Sequence, residues 1–195
     1  MPSAGTGGRT IAYLTVERDD QRRFWGGLLV VDRVGRPVEF HATAPVAPSR
    51  AHEILYGPTL VSHVCGELMA PALIRALRAA PLLALTDCPH VLAARPQTPF
   101  PLLGIGEQLA EPNGEDAGQR GEGEEGVPPM SNEAKLWGQS ISGPAVAGYR
   151  LWAHRDFAED FERACRTWPS FAGHVDFVEP LGRIRDALAE ARKAA

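Results

Sequence analysis

Lysine is nearly missing from this 195-residue chain: two lysines stand against 18 arginines. We read that imbalance as a coding bias, since arginine and lysine carry the same charge to the surface. Cysteine is scarce too, with Cys65, Cys88 and Cys165 in no CxxC spacing. That excludes a cysteine-rich zinc module and a disulfide framework, and leaves buried, reduced thiols as the expectation. No apolar run approaches the roughly 18 residues that cross a bilayer. Met1 to Arg9 lacks the apolar core of a secretory signal. A soluble cytoplasmic protein away from membranes is therefore expected. The phosphate-cradling GxxxxGK[ST] and the hydrolase GxSxG patterns do not occur, which removes the common P-loop and serine-hydrolase classes.

What the chain does have is enough apolar content, 44%, for one packed domain over residues 1–195. Its net charge of −4 is unevenly spread. Residues 106–126 hold seven acids against Arg120 alone, so the rest of the chain comes out at +2. A body of +2 neither demands nor excludes nucleic acid. Residues 106–132 form a Gly/Pro-rich acidic stretch with little apolar surface to offset the entropy of ordering. A disordered acidic loop is expected there, and it can serve as a linker or engage a protein partner. Residues 1–8 read as a flexible tail.

The remaining pattern is α/β. Thr10–Val16 and Phe24–Val31 are rich in β-branched and aromatic residues, with Gly26 and Gly27 permitting a bulge or close packing. Val38–Thr43 alternates, so the three runs make an antiparallel meander. Ser49 suits a helix cap, and Gly57-Pro58 breaks that helix. From Thr59, the residues Val61, Cys65, Met69, Leu73 and Leu77 recur every fourth position as a broad stripe, interrupted at Pro71. Leu82–Leu85 is a continuous apolar run of the kind found in a doubly covered strand, and Asp87 ends it. In open α/β sheets ligands gather outside the carboxyl ends of strands, which makes Asp87 a site candidate, with Glu67 on the helix before it.

The pattern fades from Pro96 to Pro129. One strand is expected over 145–152, closing on Ala153-His154. A helix is expected over 156–168, an extended piece over 175–178, and a last helix from Glu179-Pro180. Leu181, Ile184 and Leu188 face inward on that helix, and Arg192 and Lys193 suit its dipole.

Several short islands carry a resemblance. Tyr56-Gly57-Pro58-Thr59-Leu60, Gly66-Glu67 with Pro71-Ala72-Leu73, the strand ending at Asp87 with Arg95 beyond it, Leu151-Trp152-Ala153-His154-Arg155, and Glu179-Pro180-Leu181 with Arg185 together resemble the endonuclease V family. The resemblance implies a ribonuclease H-like mixed sheet: a three-strand antiparallel meander, a helix, a central strand, helices on the sheet and a long acidic loop. It also implies a divalent-metal-dependent endonuclease acting on deaminated, inosine-containing or structured nucleic acid. Mg²⁺ would be held by Glu67 and Asp87, with His154 orienting water or phosphate. The family's first-strand aspartate falls on Thr15. Glu17, two residues on and on the same strand face, is the nearest acid that can stand in.

Two functions follow from that departure. One is a nuclease with metal ligands Glu17, Glu67 and Asp87 and catalytic Glu67, Asp87 and His154. The other is a catalytically degenerate relative that binds or scaffolds a partner. Beside these stand two smaller readings: His63 and Glu67, at i and i+4, as a surface pair rather than a metal site, and Cys88-Pro89-His90 as a turn rather than a thiol nucleophile.

Overall fold

The computed structural model describes residues 9–108, 140–146, 148–171, 173 and 176–193. The expected flexible tail and, beyond residue 108, the expected acidic loop lie outside the described residues.

Strands β1 (Ile11–Arg18), β2 (Phe24–Val31) and β3 (Pro37–Ala42) form the expected antiparallel meander. β4 (Ala84–Thr86) and β5 (Leu102–Gln108) run parallel to β1, and β6 (Ser140–Val146) and β7 (Tyr149–His154) close the far side as a hairpin. The order is β3-β2-β1-β4-β5-β7-β6, a mixed sheet in a mixed α/β fold. No helix among the described residues is long and apolar enough to cross a membrane.

Alternation along β1 sorts the core into two faces. Ala12, Leu14 and Val16 join one apolar cluster, while Ile11 and Tyr13 join the other. The first face is covered by a helical run over residues 50–76. It consists of α1 (Arg50–Tyr56), a 3₁₀ turn at Gly57–Thr59, one α-helical turn at Leu60–Ser62, a π-helical stretch at His63–Met69 and α2 (Ala70–Ala76). Ser49 caps α1 as expected, accepting from the His52 amide. The second face is covered by α3 (Asp160–Thr167) and α4 (Glu179–Lys193). Gly27 on β2 is the point of close approach, because a Cβ there would run into Ile184 of α4.

The expected every-fourth stripe is present, with Cys65, Met69 and Leu73 buried in the first-face cluster and Val61 and Leu77 packed against it, but it runs through a π-helical stretch. The buried residues run Leu60, Val64, Cys65, Met69, Ala70, Leu73 and Ile74, while Leu68 is left exposed. Between Val64 and Met69 the spacing is five, the π repeat. Pro71 supplies the reason: it has no N–H for the Glu67 carbonyl and its ring crowds an α-helical turn there. Widening the turn lets the Ala70 amide bond to the Cys65 carbonyl instead.

Two strands differ from the sequence expectation. β5 falls where the pattern fades, and its Gly106 is needed because a Cβ would strike the Trp152 ring at 2.5 Å. The single strand expected over 145–152 is a hairpin, turning at Gly148 with φ of 84°. Residues 176–178 form no strand. Of the three cysteines expected to be buried, Cys65 is, Cys88 is half-buried and Cys165 is exposed on α3.

A buried ion pair joins the segments flanking β5. Arg95 donates from Nη2 to Asp160 Oδ1 at 2.8 Å and from Nε to Oδ2, while its Nη1 donates to the Thr98 carbonyl at 3.0 Å. Asp160 is fully buried and also accepts the Leu102 amide at the start of β5. Removing one partner of such a pair strands the other charge in the core. Asp160→Ala should therefore lose about 3–5 kcal/mol of stability in urea unfolding.

Gly66 on the π-helical stretch gives a second prediction. A Cβ there would meet the His90 carbonyl oxygen at 2.5 Å and Ala93 Cβ at 2.7 Å. Gly66→Ala should cost about 1–3 kcal/mol, against the usual helix preference for alanine. At Gly182 on α4 a Cβ meets nothing within 4 Å. Gly182→Ala should then stabilise by up to about 1 kcal/mol in the same measurement.

Candidate functional site

Thr15 and Glu17 leave β1 on the face covered by α4, and Asp87 follows β4 one strand over. Thr15 is 1% exposed, and its hydroxyl donates to Asp87 Oδ1 at 2.7 Å. Asp87 Oδ2 receives the Nη2 of Arg185, which stands on α4. The same guanidinium meets Glu17 Oε1 through Nε at 3.0 Å, and Arg192, seven residues on, donates to Glu17 Oε2 at 2.7 Å. Residues 185 and 192 are seven apart, two helical turns, so both guanidinia line up along the sheet edge. The result is a closed cluster of two carboxylates and two guanidinia with a threonine hydroxyl beneath it.

Glu67 is not part of that cluster. It sits on the helical run over the opposite face, 56% exposed at its side chain, and pairs with His63 Nδ1 at 2.8 Å. The surface-pair reading of His63 and Glu67 fits this geometry. His154, at the end of β7, is buried with Nδ1 accepting the Asp156 amide at 3.3 Å and its ring edge-on to Phe157 at 5.6 Å. Glu67 and His154 do share a setting: both line a cleft of about 480 Å³ together with Tyr56, Ser62, His63 and His90. The expected metal set of Glu17, Glu67 and Asp87 is thus divided, two acids under α4 and one in the cleft. Among the described residues no three His, Cys, Asp or Glu side chains gather into a group that could hold a metal ion. As arranged, the donors do not fit Mg²⁺, which needs free oxygen ligands: each predicted carboxylate is already engaged by a basic side chain, and Thr15 brings a neutral hydroxyl.

The cleft has features that the sequence patterns did not single out. Ser62 Oγ and His90 Nδ1 lie 2.8 Å apart. Burial pushes the His90 pKa below its ordinary value, which favours a neutral ring beside the Ser62 hydroxyl. Tyr56 stacks on the His63 ring at 4.3 Å. Ser62 lies 28 positions from His90, a separation at which no periodicity links two residues. The two guanidinia of the cluster under α4 carry a fainter signal in the sequence, their spacing of seven on the last helix.

No protein-family model matches the chain, and no curated protein matches it. Among solved structures, the chain aligns with human ENDOV at a TM-score of 0.45 and 14% identity, over 97% of this chain and 87% of that one. It aligns with Ciona intestinalis endonuclease V, in complex with a 24mer DNA containing an inosine followed by a ribo-adenosine, at 0.43 and 13%, over 96% and 87%. Likeness at this level assigns neither a family nor an activity.

The His90 shift has a direct consequence for stability. The unfolded chain takes up the imidazole proton near the ordinary 6.5, while the folded chain resists until lower pH. Between those values the unfolded state binds more protons, so stability should fall as pH drops below about 6.5 and hold above it. Urea midpoints from about pH 7 to pH 5 should show this slope, and His90→Gln should remove its share.

Proposed function

We propose that this chain is a ribonuclease H-like module of endonuclease V type whose carboxylate edge is closed by arginine, and that it works by binding a partner rather than by cleavage. The observation that carries this reading is Arg185, whose guanidinium bridges Asp87 and Glu17. A guanidinium supplies positive charge in a fixed plane, but unlike a divalent ion it cannot lower the pKa of a bound water or exchange ligands during phosphodiester hydrolysis. Thr15 removes one negative charge from the place where the resemblance puts an aspartate, which makes a monovalent counter-charge sufficient. The partner we propose is a protein with a basic surface, met by the acidic segment 106–126. Its seven acids would repel a phosphate backbone.

A second reading, the Mg²⁺-dependent nuclease with Glu67, Asp87 and His154 in catalysis, is favoured by Glu67 and His154 facing one cleft. It requires Arg185 to release Asp87 when nucleic acid binds. The strand order supports the fold shared by both readings: a meander with two further strands parallel to its first.

Cleavage of inosine-containing strands in Mg²⁺ separates the two. The binding module should give no cleavage and no change in unfolding free energy on adding Mg²⁺. A true site at ten times its dissociation constant would add about 1.4 kcal/mol. Cleavage that disappears in Asp87→Ala would overturn the binding reading. The double variant Thr15→Asp with Arg185→Gln restores an acid, frees Asp87 and leaves Glu17 held by Arg192 alone, and it should gain Mg²⁺-dependent stabilisation.

A further inference from the structure

β3 ends the strand order, and among the described residues β2 is its one neighbour in the sheet. The Thr43 amide donates to the Gly26 carbonyl at 2.9 Å, and this bond sets the phase of the ladder. Antiparallel bonds recur at every second residue, so Glu39 and His41 turn their backbone groups to β2. The N–H and C=O of Phe40 and Ala42 therefore point away from the sheet. Such an edge is a template for another strand unless lysine, proline or a bulge blunts it. Val38 to Ala42 carries no lysine, and Pro37 with the neighbouring bulge against Val30 and Val31 blunts its start alone. Apolar side chains lie exposed along it, Val38 at 55% and Phe40 at 43%, with Val34 of the preceding turn. Glu39 and His41 share the strand's other face from Phe40. There Glu39 is fixed by the Arg78 and Ala79 amides, each at 2.9 Å, and meets His41 Nε2 at 2.6 Å.

We infer that β3 is a homodimer interface, pairing antiparallel with β3 of a second copy about a two-fold axis at Phe40. Facing residues in such a pair share a sheet face, so the strands slide only in steps that keep parity, and charge chooses among those steps. With Phe40 opposite Phe40 of the second copy, Glu39 lies opposite His41 and His41 opposite Glu39. The step one way sets two Glu39 carboxylates face to face, and the step the other way sets two His41 rings together. In the complementary register the two Phe40 residues exchange both outward backbone bonds, and Val38 lies along Ala42 of the second copy. The bulge at the start of β3 resists sliding out of that register. Burial of the Phe40 rings and Val38 supplies the apolar gain. A two-fold uses up both β3 edges, so this contact stops at two chains instead of growing as a fibre.

Light scattering on the full chain should give twice 21.0 kDa, falling toward 21.0 kDa on dilution. The outward Phe40 amide should resist hydrogen exchange in the dimer and lose that protection as the chains separate. Phe40→Lys sets two ammonium groups face to face and should run at 21.0 kDa at the same concentration, its urea midpoint close to that of the dissociated parent. Crosslinking in a chain that also carries Cys165→Ser, which removes the exposed thiol, reads the register. Facing Cα atoms of a hydrogen-bonded pair stand about 5.5 Å apart, within disulfide reach. Phe40→Cys should join to its own copy under mild oxidant, and Ala42→Cys should not. A 21.0 kDa species at about 1 mM protein, where even a submillimolar Kd leaves most chains paired, would overturn the inference. So would a dimer that survives Phe40→Lys, or one that crosslinks through Ala42→Cys and not Phe40→Cys.

Discussion

The buried contact between Arg95 and Asp160 is the constraint on which the second half of the sheet depends. An ionised pair inside a core is tolerated only when each lone pair and each N–H finds a partner. Here Asp160 takes both guanidinium contacts and the Leu102 amide, while the remaining Arg95 nitrogen goes to the Thr98 carbonyl. The Phe157 ring covers the guanidinium at 4.1 Å. One charge pair thereby sets the turn after Pro89–Gln97, the start of β5 and the entry to α3. Because β5 lies between β4 and β7, that register passes to the hairpin and to His154 at its end.

The molecule then carries two polar constructions on opposite faces of one sheet. Under α4, carboxylates from β1 and β4 are closed by guanidinia. On the other face, imidazoles, a serine and Glu67 line a cleft bounded by the π-helical stretch and the Pro89–Gln97 segment. The sheet keeps them apart because alternate side chains leave a strand in opposite directions. Thr15 and Glu17 share a side by that rule, and Glu67 rides on the helical layer across from them.

The meander and the last helix were legible in the sequence because β-branched runs and the Leu181, Ile184, Leu188 spacing are local signals. β5 was not, since Leu102–Gln108 carries two glycines that weaken a strand pattern. One of them, Gly106, is there for the Trp152 ring, a long-range reason no window of sequence contains. The hairpin at Gly148 was hidden because Gly143 and Pro144 blur its first strand. Within the site, the shared face of Thr15 and Glu17 followed from strand geometry. What lay beyond reach was which cation would meet Glu17 and Asp87, because Arg185 and Arg192 arrive from a helix about a hundred residues or more further along.

The clamp also shapes what the protein looks like from a distance. Glu17, Asp87, Arg185 and Arg192 sum to zero formal charge within a few ångströms, so this edge projects little field into solvent beyond a Debye length of about 8–10 Å. A patch of free carboxylates would draw cations toward it and change association rates with ionic strength. Here that edge is electrically quiet, and neither metal ions nor polyanions are steered to it by long-range attraction.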